Sequence, residues 1–364
     1  MDQLNPECYL DEYKMNRCKI INEKLHIKES LNNIIFVYSL PKVGSTSLVS
    51  SLRIFGSAYF NIIHVHDENM LQHLLQEKDI LINDLILYNN LIGKKVWVID
   101  IYREPIERKI SEFFEKISLH FNTSEENMNK YNIDTLVERF NLIYPHIHDV
   151  DPFLYQYGIP TPDSFDFQNK YLYVVHNSIH YIKLRLRDSA QWGTILSSLL
   201  QHTIKIVKDY ETSNKVISQV YSAFKNKYTI PINYLDELKT SPVFQFYLNP
   251  QEQEEYLEKW AKKTNTLPFE SYTFPQYQLY MNIVNTNNVE DTIQLFHYRD
   301  QGCVCKACTI KRYMIQMQIL SEKDNAEKIY HEECVNEYLS KKHKMVQRLV
   351  KHKHTNQFQQ LRII

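Results

Sequence analysis

Residues 32–52 constrain the fold of this chain more than any other stretch. The segment opens with a dense apolar run at residues 34–38, whose β-branched and aromatic side chains are typical of a buried parallel strand. A short loop with one glycine follows, and Leu48 and Leu52 then begin an apolar pattern at near-helical spacing. The order of strand, loop and helix predicts the first βα unit of an α/β sheet.

The loop in this unit carries groups that suit a cluster of anionic oxygens. The helix N-terminus offers N–H groups and the positive end of a dipole, Lys42 adds a full charge, and Gly44 lets the backbone approach a ligand closely. The alternative is an ordinary βα turn with a serine N-cap. The loop is not a Walker A motif, in which the lysine directly precedes the serine or threonine. The predicted anion-binding residues are Pro41, Lys42, Val43, Gly44, Ser45, Thr46 and Ser47.

A second strand-to-helix turn lies within residues 94–117. Residues 96–101 predict a strand, and Pro105 suits the first turn of a helix. Arg103 at the strand end and Ser111 eight residues later offer a guanidinium fork and a hydroxyl donor to a phosphate. The alternative is that Arg103 is one of several surface charges on a helix. Two such motifs in order, each at a strand-to-helix turn, make this alternative less favourable than phosphate binding.

The whole pattern predicts an α/β fold of three layers, with a central parallel sheet flanked by helices. Residues 59–66 predict another strand, and residues 171–188 predict a strand pair. The predicted organisation is a lead-in over residues 1–30, helical near residues 11–29, an α/β domain over 31–265, and a cysteine-containing extension over 266–364 with a basic tail. An aromatic strand is predicted at residues 269–274.

Both turns resemble donor-binding motifs of sulfotransferases. The sequence PKVGSTS at residues 41–47 is similar to the 5′-phosphosulfate loop of carbohydrate sulfotransferases. The sequence REPIERKIS at residues 103–111 is similar to a stretch of uronyl 2-O-sulfotransferases. The strand that ends at Asp188 resembles a strand of sulfotransferases, although Arg187 stands where an acid is usual. Residues 180–260 resemble bacterial sulfotransferase-like proteins of capsular polysaccharide synthesis. The resemblance covers about residues 32–264 and implies a P-loop-like fold.

The resemblance also implies a reaction, the transfer of a sulfuryl group from 3′-phosphoadenosine-5′-phosphosulfate to a hydroxyl, with a saccharide as the expected acceptor. It assigns Lys42 to the oxygen that bridges sulfur and phosphate, and Arg103 and Ser111 to the 3′-phosphate. The histidines at positions 64 and 66 point to one face of a strand end. The family pattern assigns the base to His66, and the alternatives are His64, Asp67 and Glu68.

Two other function classes remain open at this point. A non-catalytic nucleotide- or glycan-binding protein could keep the same fold. A P-loop kinase is less favoured, because the Walker lysine is missing. The net charge of −1 gives no indication of a nucleic-acid partner. No apolar run approaches the roughly 18 residues of a membrane span, and we expect a cytoplasmic protein. The sequence indicates no oligomeric state.

A structural zinc site is predicted in the C-terminal extension. Four of the six cysteines stand there, and thiolates and imidazole are ligands that zinc prefers. The alternatives are a disulfide within the cluster or plain thiols. The predicted ligands are Cys303, Cys305, Cys308 and Cys334, with His331 as the replacement for one of them.

Overall fold

A computed structural model describes residues 10–286, apart from residues 68–70, 72–74, 76, 122–124, 145–150, 152–157, 161, 210–216 and 266–270. The chain divides into two compact units, Met1–Asp300 and Gln301–Ile364, and every described residue belongs to the first. The three predicted domain ranges remain a prediction.

The described helices and strands follow the alternating order expected of an α/β chain. They are α1 (Glu12–Lys24), β1 (Asn33–Tyr38), α2 (Ser45–Gly56), β2 (Phe60–Val65), α3 (Ile82–Leu91), β3 (Lys95–Tyr102), α4 (Pro105–Glu115), α5 (Ile117–His120), α6 (Ile133–Ile143), β4 (Tyr171–His176), β5 (Ile179–Arg185), α7 (Trp192–Leu200), α8 (Ser218–Lys227), β6 (Ile230–Pro231), α9 (Ile232–Thr240), α10 (Pro242–Tyr247), α11 (Pro250–Ala261), β7 (Thr264–Asn265) and α12 (Phe274–Thr286). Two 3₁₀ turns complete the set, at Glu125–Lys130 and Leu186–Gln191.

A central sheet of five strands runs in the order β2-β1-β3-β5-β4. β1 pairs in parallel with both β2 and β3, β3 pairs in parallel with β5, and β4 closes the edge as the antiparallel partner of β5. The chain passes from β1 to one neighbour and then crosses to the other, so the carboxyl ends of β1 and β3 flank a topological switch point. Open α/β sheets bind their ligands at such a crevice.

The alternation of side chains along β1 shows why helices cover both faces of this sheet. Ile34 and Phe36 point into a core cluster that includes Leu85 of α3 and Phe113 of α4. Ile35 and its neighbours on the other face pack with residues of α2 and α7. All these strand residues are buried. The predicted three-layer α/β fold is therefore confirmed.

Helices at both ends of the described chain pack on this core. α1 follows its N-cap Asp11 and ends at Lys24, so it covers the first part of the range predicted as helical near residues 11–29. Lys14 pairs with Asp84 of α3 at 3.0 Å. The predicted aromatic strand at 269–274 is wrong over residues 271–274, because α12 begins at Phe274 and residues 271–273 are irregular. Pro275 suits a first helical turn, where its missing N–H has no partner to lose.

No helix of the described ranges is both long enough and apolar enough to cross a membrane.

Candidate functional site

Two residues of the loop between β1 and α2 have a left-handed backbone. Lys42 has φ 69° and Gly44 has φ 90°. A lysine in this region carries a backbone cost of about 1–2 kcal/mol, and such strain persists where the surroundings fix the conformation. A Cβ atom built on Gly44 would lie 2.7 Å from Cδ1 of Leu186 and 3.6 Å from Cη2 of Trp192. The loop therefore requires glycine at position 44, for its backbone and for its close packing.

Arg103 follows β3 and joins the two motifs that the sequence predicted separately. Its Nη1 donates a hydrogen bond of 2.6 Å to the carbonyl oxygen of Lys42. Arg103 also forms a hydrogen bond with the side chain of Tyr221. Burial raises the pKa of Tyr221, and the guanidinium group of Arg103 partly opposes this rise. These contacts tie the carboxyl ends of β1 and β3 together at the switch point.

The ammonium group of Lys42 forms an ion pair with a residue that the sequence did not suggest. Lys42 Nζ lies 3.1 Å from Oε2 of Glu115, and the two side chains are 15% and 39% exposed. Glu115 is the last residue of α4, and Ser111 lies one turn earlier on the same helix face, half-buried. Lys42 therefore contacts the end of α4 through Glu115, and Arg103 just before α4 through its own carbonyl oxygen.

The two histidines have different surroundings. His64 lies within β2 and is buried, and its Nε2 is 3.1 Å from Oγ of Ser45 at the start of α2. His66 is the first residue after β2, and its Nδ1 is 2.9 Å from the carbonyl oxygen of Ser39. Because a carbonyl oxygen only accepts, Nδ1 of His66 carries the proton and Nε2 of the neutral ring has a lone pair. The rings of His64 and His66 meet edge to face, with centroids 4.5 Å apart.

Burial and the neighbouring charges determine the pKa of His66. Burial has the largest effect and lowers the pKa of His66. The hydrogen bond to the Ser39 carbonyl and the charges of Glu115 and Asp67 raise the pKa, and Lys42 lowers it. The net pKa of His66 lies below the ordinary value for histidine. His66 is therefore neutral at pH 7 and able to accept a proton on Nε2. Lys42, Glu115 and His66 lie close enough for their charges to interact.

Most hydroxyl groups at the start of α2 have internal partners. Ser47 Oγ donates to the carbonyl oxygen of Asp209 at 2.9 Å and accepts from its backbone N–H at 3.1 Å. Ser50 Oγ lies 2.6 Å from Oδ2 of Asp209. Three hydroxyls were expected to face an anion, those of Ser45, Thr46 and Ser47. Ser45 is paired with His64 and Ser47 with Asp209, so two of the three hold α2 to neighbouring segments instead. The backbone N–H groups at the helix start and the half-buried Thr46 remain the donors of choice.

A buried charge cluster lies below the switch point. Lys183 of β5 pairs with Asp100 of β3 at 2.7 Å and with Asp151 at 2.8 Å. Burial raises the pKa of Asp100 to about 6, against the opposing effect of Lys183. Asp151 and Lys183 line a cavity of about 20 Å³, which has room for about one water molecule. The other lining residues are Leu40, Val43, Ile101, Tyr102, Arg103, Arg108 and Val243.

Comparisons with known proteins return no match for this chain, from family models, from curated proteins or from solved structures. The resemblance to sulfotransferases therefore rests on the motifs of the sequence and stays a prediction.

The structure brings some of the predicted site residues together. Residues 41–47 form the loop and the start of α2, and Arg103 contacts the loop. Lys42 is near enough to His66 for its charge to lower the pKa of the imidazole. Ser111 lies on the same helix as Glu115, and no contact joins it to Arg103 within the described part of the chain. The zinc prediction, on Cys303, Cys305, Cys308, Cys334 and His331, falls outside the described residues and stays a prediction.

Proposed function

We propose that this protein is a sulfotransferase that uses 3′-phosphoadenosine-5′-phosphosulfate as its donor. The observation that carries the proposal is the 2.6 Å hydrogen bond from Arg103 to the carbonyl oxygen of Lys42. It links two motifs that the family uses for the two ends of one nucleotide. The link lies at the switch point of a doubly wound sheet, where this fold class binds ligands.

The residues present fit a donor with two anionic ends. Lys42 and the N–H groups at the start of α2 suit the phosphosulfate oxygens. Arg103 and Ser111 suit the 3′-phosphate, which ATP lacks, and would select the donor. The water-sized cavity below the loop is too small for a nucleotide, so the donor would lie above it, along the carboxyl ends of the strands.

The proposed chemistry is an in-line displacement at sulfur. The acceptor oxygen forms a bond to sulfur as the bond between sulfur and the bridging phosphate oxygen breaks. Nε2 of His66 takes the acceptor proton. The other ring nitrogen, Nδ1, donates a hydrogen bond to the Ser39 carbonyl, which fixes the tautomer that this step requires. Lys42 neutralises the charge that develops on the leaving oxygen. The products are a sulfated acceptor and 3′-phosphoadenosine 5′-phosphate.

The proposed acceptor is a hydroxyl of a saccharide, as in the capsular polysaccharide proteins that the sequence resembles, and the proposed compartment is the cytoplasm. The acceptor assignment depends on the resemblance and on the aromatic and polar residues of the segment 122–167, since rings stack on the apolar faces of sugars.

Sulfuryl transfer to a panel of capsular and glycosaminoglycan oligosaccharides tests the proposal, with mass spectrometry of the acceptor as the readout. Wild-type protein should add a sulfate to at least one acceptor, and Lys42→Ala should not. Arg17→Ala, on α1 and paired with Glu77, is the matched loss of a positive charge away from the site. Donor binding without transfer to any acceptor would favour a non-catalytic nucleotide-binding protein.

A further inference from the structure

The pairing of Glu115 with Lys42 is not explained by the proposed reaction. In that reaction, Lys42 faces the anionic oxygens of the donor. In the structure, the carboxylate of Glu115 lies 3.1 Å from the same ammonium group. A carboxylate oxygen and a sulfate or phosphate oxygen compete for the same donor hydrogens of a lysine.

The position of Glu115 in its helix makes the pairing more informative. Glu115 is the last residue of α4, where the negative end of the helix dipole disfavours an acidic side chain. The other carboxylate of this turn, Glu112, pairs with Arg108 and Lys116 of its own helix or next to it. Glu115 instead reaches the loop, so Lys42 is the contact that compensates for its unfavourable position.

The surroundings of Lys42 show that its backbone does not depend on Glu115. The hydrogen bond from Arg103 holds the carbonyl oxygen of Lys42, and the left-handed φ of 69° belongs to the loop itself. The ion pair with Glu115 lies at the end of the Lys42 side chain, at a partly exposed position. The carboxylate can therefore be displaced without a rearrangement of the loop.

We propose that Glu115 is an internal counter-ion of Lys42, which the anionic oxygens of the donor displace when they bind. Glu115 lowers the affinity for the donor and keeps the lysine paired before binding. The proposal rests on the proposed function for the identity of the donor. The competition itself applies to any anion that Lys42 binds.

Calorimetric titration with 3′-phosphoadenosine 5′-phosphate tests the competition. Because partly exposed ion pairs contribute little, Glu115→Gln should bind the bisphosphate about two- to fivefold more tightly than wild-type protein. Glu112→Gln is the matched control on the same helix and should leave the affinity unchanged. Equal or weaker binding by Glu115→Gln would overturn the proposal and would make Glu115 a residue that orients Lys42.

A second measurement keeps the proposal testable if the donor assignment fails. Acylation of lysine amines by a water-soluble succinimidyl ester, followed by peptide mass spectrometry, reports the reactivity of Lys42 without any donor. Glu115→Gln should increase labelling of Lys42 relative to Lys19, an exposed lysine of α1, and Glu112→Gln should not. If no variant binds the bisphosphate, the proposed function fails, and pyrophosphate then serves as the anion in the same titration. Unchanged labelling of Lys42 in Glu115→Gln would refute the counter-ion role whatever the donor is.

Discussion

Replacement of Gly44 by alanine is the perturbation whose cost the structure defines best. The new Cβ atom would meet two penalties, a left-handed backbone at φ 90° and a contact of 2.7 Å with Cδ1 of Leu186. The backbone penalty is about 1–2 kcal/mol. Overpacking against the half-buried Leu186 adds about 1–3 kcal/mol. We therefore expect Gly44→Ala to lower the free energy of unfolding by about 2–5 kcal/mol.

Gly93 provides a matched control for the backbone penalty. It has φ 87°, close to that of Gly44, and a Cβ atom built on it meets nothing within 4 Å. Gly93→Ala should cost about 1–2 kcal/mol, the backbone penalty alone. The difference between the two alanine variants then measures the steric contact at the loop. Urea unfolding followed by circular dichroism and by tryptophan fluorescence gives both values, provided that the two probes coincide.

Leu186→Ala isolates the steric contribution further. In that background, the clash at Gly44 is relieved, and Gly44→Ala should cost no more than Gly93→Ala does. The reasoning fails if Gly44→Ala and Gly93→Ala cost the same in the wild-type background, because Leu186 would then exert no steric constraint on the loop.

Four further outcomes follow from the site and its surroundings. Removal of the proposed base by His66→Ala should lower turnover by about 10²–10⁴-fold and leave bisphosphate binding intact, as kinetics and calorimetry would show. Lys183→Met should lower stability in urea by about 3–5 kcal/mol, because it removes the ammonium partner of two buried carboxylates. Burial lowers the pKa of His120 to about 3 in the folded protein. Below pH 6.5, His120 therefore binds a proton in the unfolded chain but stays neutral in the folded chain. Stability should therefore fall on acidification by up to about 1.4 kcal/mol per pH unit, and His120→Asn should remove that slope between pH 6.5 and 5.5. Protein purified without a histidine tag should contain zinc by elemental analysis, and the content should fall when Cys303 is replaced.

Each of these predictions has a result that contradicts it. Near wild-type turnover in His66→Ala would move the base to His64 or Asp67. A stable Lys183→Met variant would mean that the buried carboxylates are protonated or solvated. An identical pH dependence of wild-type protein and His120→Asn would exclude the buried imidazole as its source. Protein without zinc whose Cys303 and Cys334 are both readily alkylated would exclude the zinc site.

The strands and the strand-to-helix turns could be predicted because local patterns determine them. The apolar runs of β1 and β3 are short, β-branched and buried on both faces, which few other structures accommodate. The start of α4 at Pro105 follows from proline's fixed φ and missing N–H. The hairpin of β4 and β5 was likewise predicted, and the structure confirms it as the antiparallel edge.

The contacts between distant segments could not be predicted. Glu115 stands 73 positions after Lys42, and its pairing depends on how α4 leaves the end of β3. Asp209 engages Ser47 and Ser50 across more than 150 positions. A possible signal for Glu115 was present, since an acidic residue at the end of a helix is unfavourable without a partner. Nothing in the sequence identified that partner.

The helix α12 shows a different limit. The aromatic composition of residues 269–274 favours a strand, and this predicted strand overlaps α12 only at Phe274, the first residue of the helix. In the structure, Tyr277 and Tyr280 lie on one helix face and pack against the core cluster. The hydroxyl of Tyr280 also lies 2.8 Å from Nδ1 of His120. The helix that follows the predicted strand is therefore held by packing contacts that the local composition did not indicate.

The most direct test of the central claim is calorimetric comparison of 3′-phosphoadenosine 5′-phosphate with ATP. If Arg103 and Ser111 recognise a 3′-phosphate, the bisphosphate should bind at least tenfold more tightly than ATP, a difference of about 1.4 kcal/mol. Arg103→Ala should abolish that preference, whereas Arg17→Ala should keep it. Equal affinity for the two nucleotides in wild-type protein, or tighter binding of ATP, would contradict the sulfotransferase assignment and favour a kinase or another ATP-binding protein.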